Sequence, residues 1–346
     1  MHGSVIIRSK DEADRLRLTL ASLGQQTETA EIIVVNDGSS DHTRAVLAEA
    51  AERLPIIAIH HAVPLGRSAA ANAGAALASG DVLLFLDGDM LAAPNFVAAH
   101  LALHRQAQPA APGLIARGET YHLRGTRFFQ DPAQGTPLPG QEDRIARLSQ
   151  EELSRMRVAR DDITENFANV ESRSSPAIYP GAGPRLLYEL EMDALRSAPG
   201  CDVLWVAASG SNQSVSRAAF RAVGGFDAAL TINEHRELAL RLCQNGLRMV
   251  PVAARTYHLT HRSGWRDPLL DNSWEAIFYR AHPLPAVALL SVLWSSLADR
   301  APFPESSRIA SLPALSEAAA RCRGVYGIDE VRTAHFRATM TMDHAS

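Results

Sequence analysis

Lysine is all but missing from this chain: Lys10 is the only one, and arginine takes its place throughout. With alanine also abundant, this reads as a compositional bias, so arginine in place of lysine carries no functional meaning by itself. Cysteine is scarce as well. Cys201, Cys243 and Cys322 are odd in number, far apart and in no CxxC pattern. That excludes a disulfide framework or a cysteine zinc site and fits a reducing compartment. An excess of basic charge is absent too. The formal net charge of -4 argues against general nucleic-acid binding, so no nucleic-acid polymer is expected as a partner. The longest apolar stretch, Leu284 to Ala298, is broken by Pro285 and by serines and falls short of the roughly 20 residues of a spanning helix. An apolar run already begins at Ser4, leaving no room for a signal peptide. The expected location is cytoplasmic, with peripheral membrane contact left open.

A hydrophobic fraction of 46% over 346 residues suffices for one large α/β domain with insertions, or for two modest domains. The first hundred residues alternate strand and helix signals. Ser4 to Ile7 is a short apolar strand. Ser9 and Glu12 have capping-box spacing before Leu16, Leu20 and Leu23 on one helical face. Glu31-Ile-Ile-Val-Val35 is a continuous apolar run, the mark of a strand buried on both faces. A turn with N-cap residues follows at Asn36 to Asp41, then an alanine-rich helix to about Arg53. Strands are predicted at Ile56 to Ile59 and Val82 to Leu86, with a helix from Ser68 to Ser79 between them. Such alternation implies a mostly parallel sheet with right-handed crossovers, whose ligands bind at the carboxyl ends of the strands. From about Arg105 to Gly200 the pattern loosens into Pro-, Gly- and Ser-rich segments around a charged stretch, Glu142 to Arg160. This reads as an insertion that serves as a lid or acceptor-binding segment. The expected division is therefore 1–104, an insertion 105–200, a second half 201–265 and a helical extension 266–346.

The loop after the fourth strand carries Asp87-Gly88-Asp89. Two carboxylates one residue apart, at the carboxyl edge of a sheet, can hold a hard divalent cation. An Asp-Gly turn is the plainer alternative. Asp37 ends a buried strand, where a carboxylate can accept hydrogen bonds from a base or ribose, or cap a helix. Asn72 follows Gly66-Arg67-Ser68 near the same edge.

Taken together and in order, Ser4-Val-Ile-Ile7, Glu31 to Asp41, Gly66-Arg-Ser-Ala-Ala-Ala-Asn72 and Gly80 to Asp89 closely resemble the nucleotide-binding half of family-2 glycosyltransferases with the GT-A fold. A second block, Gly210-Ser-Asn-Gln-Ser-Val-Ser-Arg217 followed by Val223-Gly-Gly-Phe-Asp227, resembles that family's acceptor-side segment. The resemblance covers residues 4 to about 100 and about 205 to 262. It implies an α/β, Rossmann-like GT-A fold and a nucleotide-diphospho-sugar donor, with UDP the commonest nucleotide in the family and GDP and dTDP as options. Asp37 would contact the base, Asp87 the ribose or the metal, and Asp89 would ligate Mn2+ or Mg2+. Arg8, Ser9, Arg67, Asn72 and Gly88 would complete the donor side. His258 matches the place of a late histidine ligand, with His261 as its rival. Gly210, Ser211, Asn212, Trp205 and Trp265 would line the acceptor side, although such tryptophans can equally be packing residues.

One departure concerns the base that takes the proton of the acceptor nucleophile. Family members carry Glu-Asp, a spacer, then Asp or Glu before Leu-x-x-Arg-Leu; here the run is Asn233-Glu-His-Arg-Glu-Leu-Ala-Leu-Arg-Leu242. Histidine stands where the aspartate would be, and Glu234, His235 and Glu237 are all chemically able to act, Glu234 first. The resemblance implies an inverting, metal-dependent transfer to an acceptor that is a peptide, a lipid carrier, a glycan or a natural product. A non-catalytic protein that kept the fold is the alternative from another class. A sugar nucleotidyltransferase fits less well, because Ile7-Arg-Ser-Lys-Asp11 has no glycine-rich loop.

Overall fold

The computed structural model describes residues 1–107, 113–176, 187–261, 271–297 and 305–343. The strands β1 (Gly3–Ser9), β2 (Glu31–Asn36), β3 (Ile56–His60) and β4 (Val82–Asp87) alternate with the helices α1 (Ala13–Leu23), α2 (Thr43–Ala51) and α3 (Arg67–Leu77). These strands pair in parallel in the order β3-β2-β1-β4. Successive side chains of a strand point to opposite faces. Val5 and Ile7 therefore join one core cluster, with Leu16 and Leu20 of α1, while Ile6 joins the other. Both faces are covered, which is why the strands read as continuous apolar runs.

The expected capping box at α1 is not made. Glu12 is itself the N-cap residue, and its side chain caps nothing. Asp41 does the work instead: Oδ2 accepts from the Ala13 amide at 2.9 Å and Oδ1 from the Thr43 amide at 3.0 Å. Serving two helix starts from one carboxylate releases the Glu12 carboxyl toward the end of β4.

Beyond β5 (Met90–Ala92) and α4 (Phe96–Ala107), β6 (Leu114–His122) enters the sheet between later strands. It lies inside the stretch 105–200 expected to be an insertion, yet it is a strand of the main sheet. The strand escaped notice because Arg117, Gly118 and Glu119 interrupt its apolar pattern. Arg117 is nevertheless fully buried, its charge met by Glu191.

After β6 the chain forms a small hairpin, β7 (Phe129–Asp131) and β8 (Thr136–Pro137), then the short helices α5 (Glu142–Ala146), α6 (Gln150–Met156), α7 (Arg160–Thr164) and α8 (Ala168–Arg173). Next come β9 (Ser175–Pro176), which pairs with the end of β6, and α9 (Leu187–Ser197). The chain then returns through β10 (Gln213–Ser216), α10 (Arg217–Ala222), α11 (Glu234–Gln244) and β11 (Arg248–His258). The full order is β3-β2-β1-β4-β10-β6-β11-β5, with β10 antiparallel to both neighbours and β5 antiparallel to β11. The sheet is thus parallel across its first four strands and mixed beyond them.

The C-terminal helices α12 (Ser273–Ala281), α13 (Pro285–Ala288), α14 (Leu290–Leu297), α15 (Leu312–Arg321) and α16 (Ile328–Asp343) join the core cluster that contains Ile6, through Trp274, Trp294, Leu315 and Val331. Among the described residues, no helix is long and apolar enough to cross a membrane.

Candidate active site

Strand register assembles the site. Pairing of β1 with β4 sets Arg8 opposite Asp87. The Arg8 guanidinium then bridges two carboxylates, donating from Nε to Asp87 Oδ1 at 2.7 Å and from Nη1 to Glu234 Oε1 at 2.7 Å. Burial opposes the charge of Arg8, but Asp87 and Glu234 outweigh it and raise the guanidinium further. Burial likewise works against the Glu234 carboxylate, and Arg8 overrides it, holding the group ionised well below the usual range. One oxygen is engaged and the other left open: among the described residues, Oε2 makes no hydrogen bond, and its neighbour His235 Nδ1 stands 3.8 Å away.

A second convergence lies across Gly88. The chain turns from β4 into β5, and β5 pairs antiparallel with β11 so that Met90 faces His258. The Leu259 amide donates to the Asp89 carbonyl at 2.9 Å, which fixes the two segments together. His258 Nε2 and His261 Nε2 consequently both reach Asp89 Oδ2, at 3.1 and 2.7 Å. The three potential ligand atoms lie within 4.8 Å of one another. Burial resists ionisation of Asp89, and the two imidazoles, His258 foremost, reverse that and push its carboxyl well down. Glu12 is the third acid here. Burial raises its carboxyl well above the ordinary value, and the Asp89 and Asp87 charges add to the effect. Behind the pair, His122 Nδ1 is 3.4 Å from His258 Nδ1, and burial lowers its imidazole to about 3.

The remaining expected residues fall into three groups. Asp37 is buried at the end of β2 and closes the following loop: Oδ1 accepts from His61 Nδ1 at 2.7 Å and the Leu65 amide at 2.8 Å, Oδ2 from the Gly66 amide at 2.8 Å. Arg67 begins α3 within electrostatic reach of Glu12 and Glu234. Ser211 accepts from the Asp87 amide at 3.1 Å, and the Gly210 backbone lies against Arg8 and His235. Ser9 stands beside Gly88 with its hydroxyl buried.

Others serve the frame. Asn72 grips the backbone of Phe226 with both ends of its amide, at 2.8 and 2.9 Å. Asn212, in the left-handed region at φ 61, is fully buried and donates to the carbonyls of Glu119 and Ala254 at 2.7 and 3.2 Å. Trp205 is a core residue, edge-on to Phe278 at 5.8 Å. Glu237 is wholly committed: Arg241 holds it at 2.6 Å through each of two bonds and His282 Nε2 approaches at 2.9 Å. Trp265 lies outside the described residues.

Glu12, His122 and Glu191 were not singled out as functional residues by the sequence. His261 was expected only as the rival of His258, and the structure brings both imidazoles to one carboxylate.

Comparison with known proteins adds a family. Residues 4–147 match the model described as glycosyl transferase family 2. A stretch of 111 residues, 31% of this chain, is 40% identical to validoxylamine A glucosyltransferase of Streptomyces hygroscopicus subsp. jinggangensis, covering 26% of that protein. A stretch of 110 residues, also 31% of the chain, is 36% identical to the uncharacterized glycosyltransferase YfnE of Bacillus subtilis, covering 28% of it. The chain thus spans about a quarter of the length of the curated relatives it matches. Among solved structures, S. aureus TarS 1-349 in complex with UDP is similar at a TM-score of 0.50 and 14% identity, over 84% of this chain and 66% of that one. At that identity the likeness speaks for the fold alone.

Proposed function

We propose, for a chain that belongs to glycosyl transferase family 2 through residues 4–147 and has the GT-A fold, metal-dependent transfer of a sugar from a nucleotide diphosphate to an acceptor nucleophile, with inversion at the anomeric carbon. The observation that carries the reading is the meeting of Asp89, His258 and His261 beside Asp87 at the carboxyl edge of β4. A carboxylate and two imidazoles within bonding reach of one point fit a divalent ion, and the nitrogen donors favour Mn2+ over Mg2+, which prefers an all-oxygen shell. When bound, the ion would act as Lewis acid on the diphosphate of the departing nucleotide.

The chain's own residues divide the remaining work. Arg8 keeps Asp87 and Glu234 in fixed relation across the site. Glu234 is the proposed base: it is ionised, held by Oε1 and open at Oε2, so the free oxygen can take the acceptor's proton. Glu237 has no oxygen left for that role. Asp37 is proposed to meet the base of the nucleotide, with a UDP-sugar as the donor, supported by the likeness of Glu31 to Asp41 to the family's pattern.

Nucleotide release from UDP-, GDP- and dTDP-sugars, with manganese and a mixed acceptor pool, tests the reading. Glu234→Gln is expected to lose about 100-fold or more in turnover, the usual scale for a general base, while keeping nucleotide binding. Unchanged turnover removes Glu234 from the role. Nucleotide binding with no turnover of any donor favours the non-catalytic alternative.

A further inference from the structure

The histidine that replaces an aspartate in the family's pattern has a fixed proton. His235 Nε2 lies 2.9 Å from Arg236 Nη1. A guanidinium offers only donors, so the bond has one polarity: Arg236 donates and Nε2 accepts. An imidazole that accepts at Nε2 is neutral and carries its proton on Nδ1. Burial agrees, lowering this imidazole to about 4, with Glu234 pulling the other way.

That Nδ1 is buried and has no hydrogen-bond partner. Glu234 Oε2, at 3.8 Å, is beyond hydrogen-bond reach. Gly210 lies next to Nδ1: the position a Cβ would take there is 3.5 Å from His235 Nδ1 and 2.7 Å from Arg8 Nη2. Any side chain at position 210 would meet both nitrogens, and glycine leaves that side of Arg8 and His235 uncovered.

Arg236 is fixed in turn. It donates to the Val206 carbonyl at 2.8 Å, to Asn233 Oδ1 at 3.0 Å and to Glu191 Oε1 at 2.9 Å. The other oxygen of Glu191 accepts from Arg117 Nη2 at 2.9 Å. Glu191, on α9 at the end of the inserted segment, is 1% exposed. A line of bonds thus runs from the insertion to the site.

We propose that His235 is a hydrogen-bond donor to a lone-pair oxygen of the sugar substrate, through Nδ1–H, and that Glu191 is the positioning residue that sets its tautomer through Arg236. The proposal rests on the glycosyl-transfer reading only for the identity of that oxygen. It inverts the chemistry of the position, from an acceptor of protons to a donor of a hydrogen bond.

The test has two arms. In the full chain with 15N-labelled histidine, the His235 resonances are assigned by their loss in His235→Asn. Near neutral pH the protonated nitrogen is expected to be Nδ1; protonation at Nε2, or at both nitrogens, overturns the proposal whatever the protein's activity. Glu191→Gln, which can receive only one guanidinium on its single oxygen, is expected to mix the two tautomers, and Glu191→Asp to restore the Nδ1–H form. A folded Glu191→Gln with an unchanged tautomer removes Glu191 from the positioning role.

In the second arm, His235→Asn keeps a donor and is expected to hold sugar transfer within about tenfold of wild type. His235→Asp keeps only an acceptor and should lose about 100-fold or more. The opposite order makes His235 a base and refutes the donor role. A wild-type chain that turns over no donor at all defeats the glycosyl-transfer reading, while the tautomer measurement still decides the assignment.

Discussion

Protons delivered to two buried histidines of α4 should destabilise this protein well above the pH at which its ordinary carboxylates titrate. His100 and His104 share one hydroxyl: His100 Nδ1 lies 2.7 Å and His104 Nε2 3.0 Å from Ser214 Oγ. His100 Nε2 meets Asn212 Oδ1 at 3.0 Å, and the amide nitrogen of Asn212 is already committed to two carbonyls. The proton order follows. His100 donates to Asn212, Ser214 donates to His100, and His104 donates to Ser214. A second proton on His100 has no acceptor. Burial accordingly lowers both imidazoles from 6.5 to about 4.

Between those values the unfolded chain binds protons that the folded chain refuses, so stability rises with pH across the window and is lost as pH falls through it. From about pH 7.5 to about pH 5, each histidine then costs the fold about 2 kcal/mol, and the two together about 4 kcal/mol. That is a large share of the roughly 5–15 kcal/mol that holds an ordinary domain together. Urea unfolding at about pH 7.5, 6 and 5 measures it. His104→Gln, which keeps a polar side chain but cannot titrate, should remove only its own share, about 2 kcal/mol across the window, because the buried imidazoles of His122 and His235 add to the same slope. Equal stability at pH 7.5 and 5 in the wild type would refute the reasoning, because the ordinary carboxylates titrate below this window.

Two further outcomes are specific enough to check. Gly88→Ala places a methyl group against the Glu12 carboxyl and 2.9 Å from the Ser9 side chain, so metal-dependent nucleotide binding should weaken by tenfold or more, at a folding cost of about 1–3 kcal/mol; calorimetry beside a thermal melt separates the two effects. Trp205→Ala should cost about 3–5 kcal/mol by opening a cavity against Phe278, yet leave nucleotide affinity unchanged below the melt, since Trp205 is a core residue.

The parallel half of the sheet was legible because β1, β2 and β4 are buried on both faces and so read as apolar runs. β6 was not, because its buried arginine is neutralised by Glu191, 74 residues later in the chain. For Asp87 and Asp89, spacing alone left a metal site and an Asp-Gly turn both open, and the resemblance supplied their roles. His258 and His261 came from the family resemblance as rivals, and that both reach Asp89 depends on the pairing of a three-residue strand with the end of β11. Asn72 and Asn212 show the opposite limit. Both sit in segments that resemble the family's binding blocks, yet their amides hold backbone carbonyls in place. A resemblance assigns a position, and only the hydrogen-bond partners tell what the side chain at that position does. Glu12 makes the same point, since capping-box spacing pointed to a helix start and the carboxyl turned instead to the two aspartates.

The most direct test of the central claim is calorimetric titration of UDP, GDP and dTDP into the wild type and Asp89→Ala, each with manganese and with chelator. Binding of one nucleotide that requires manganese, is weaker with magnesium and is lost in Asp89→Ala is the expected result. A folded wild-type chain that binds no nucleotide with manganese present, or binds one equally well in chelator, contradicts the metal-dependent reading of Asp89, His258 and His261.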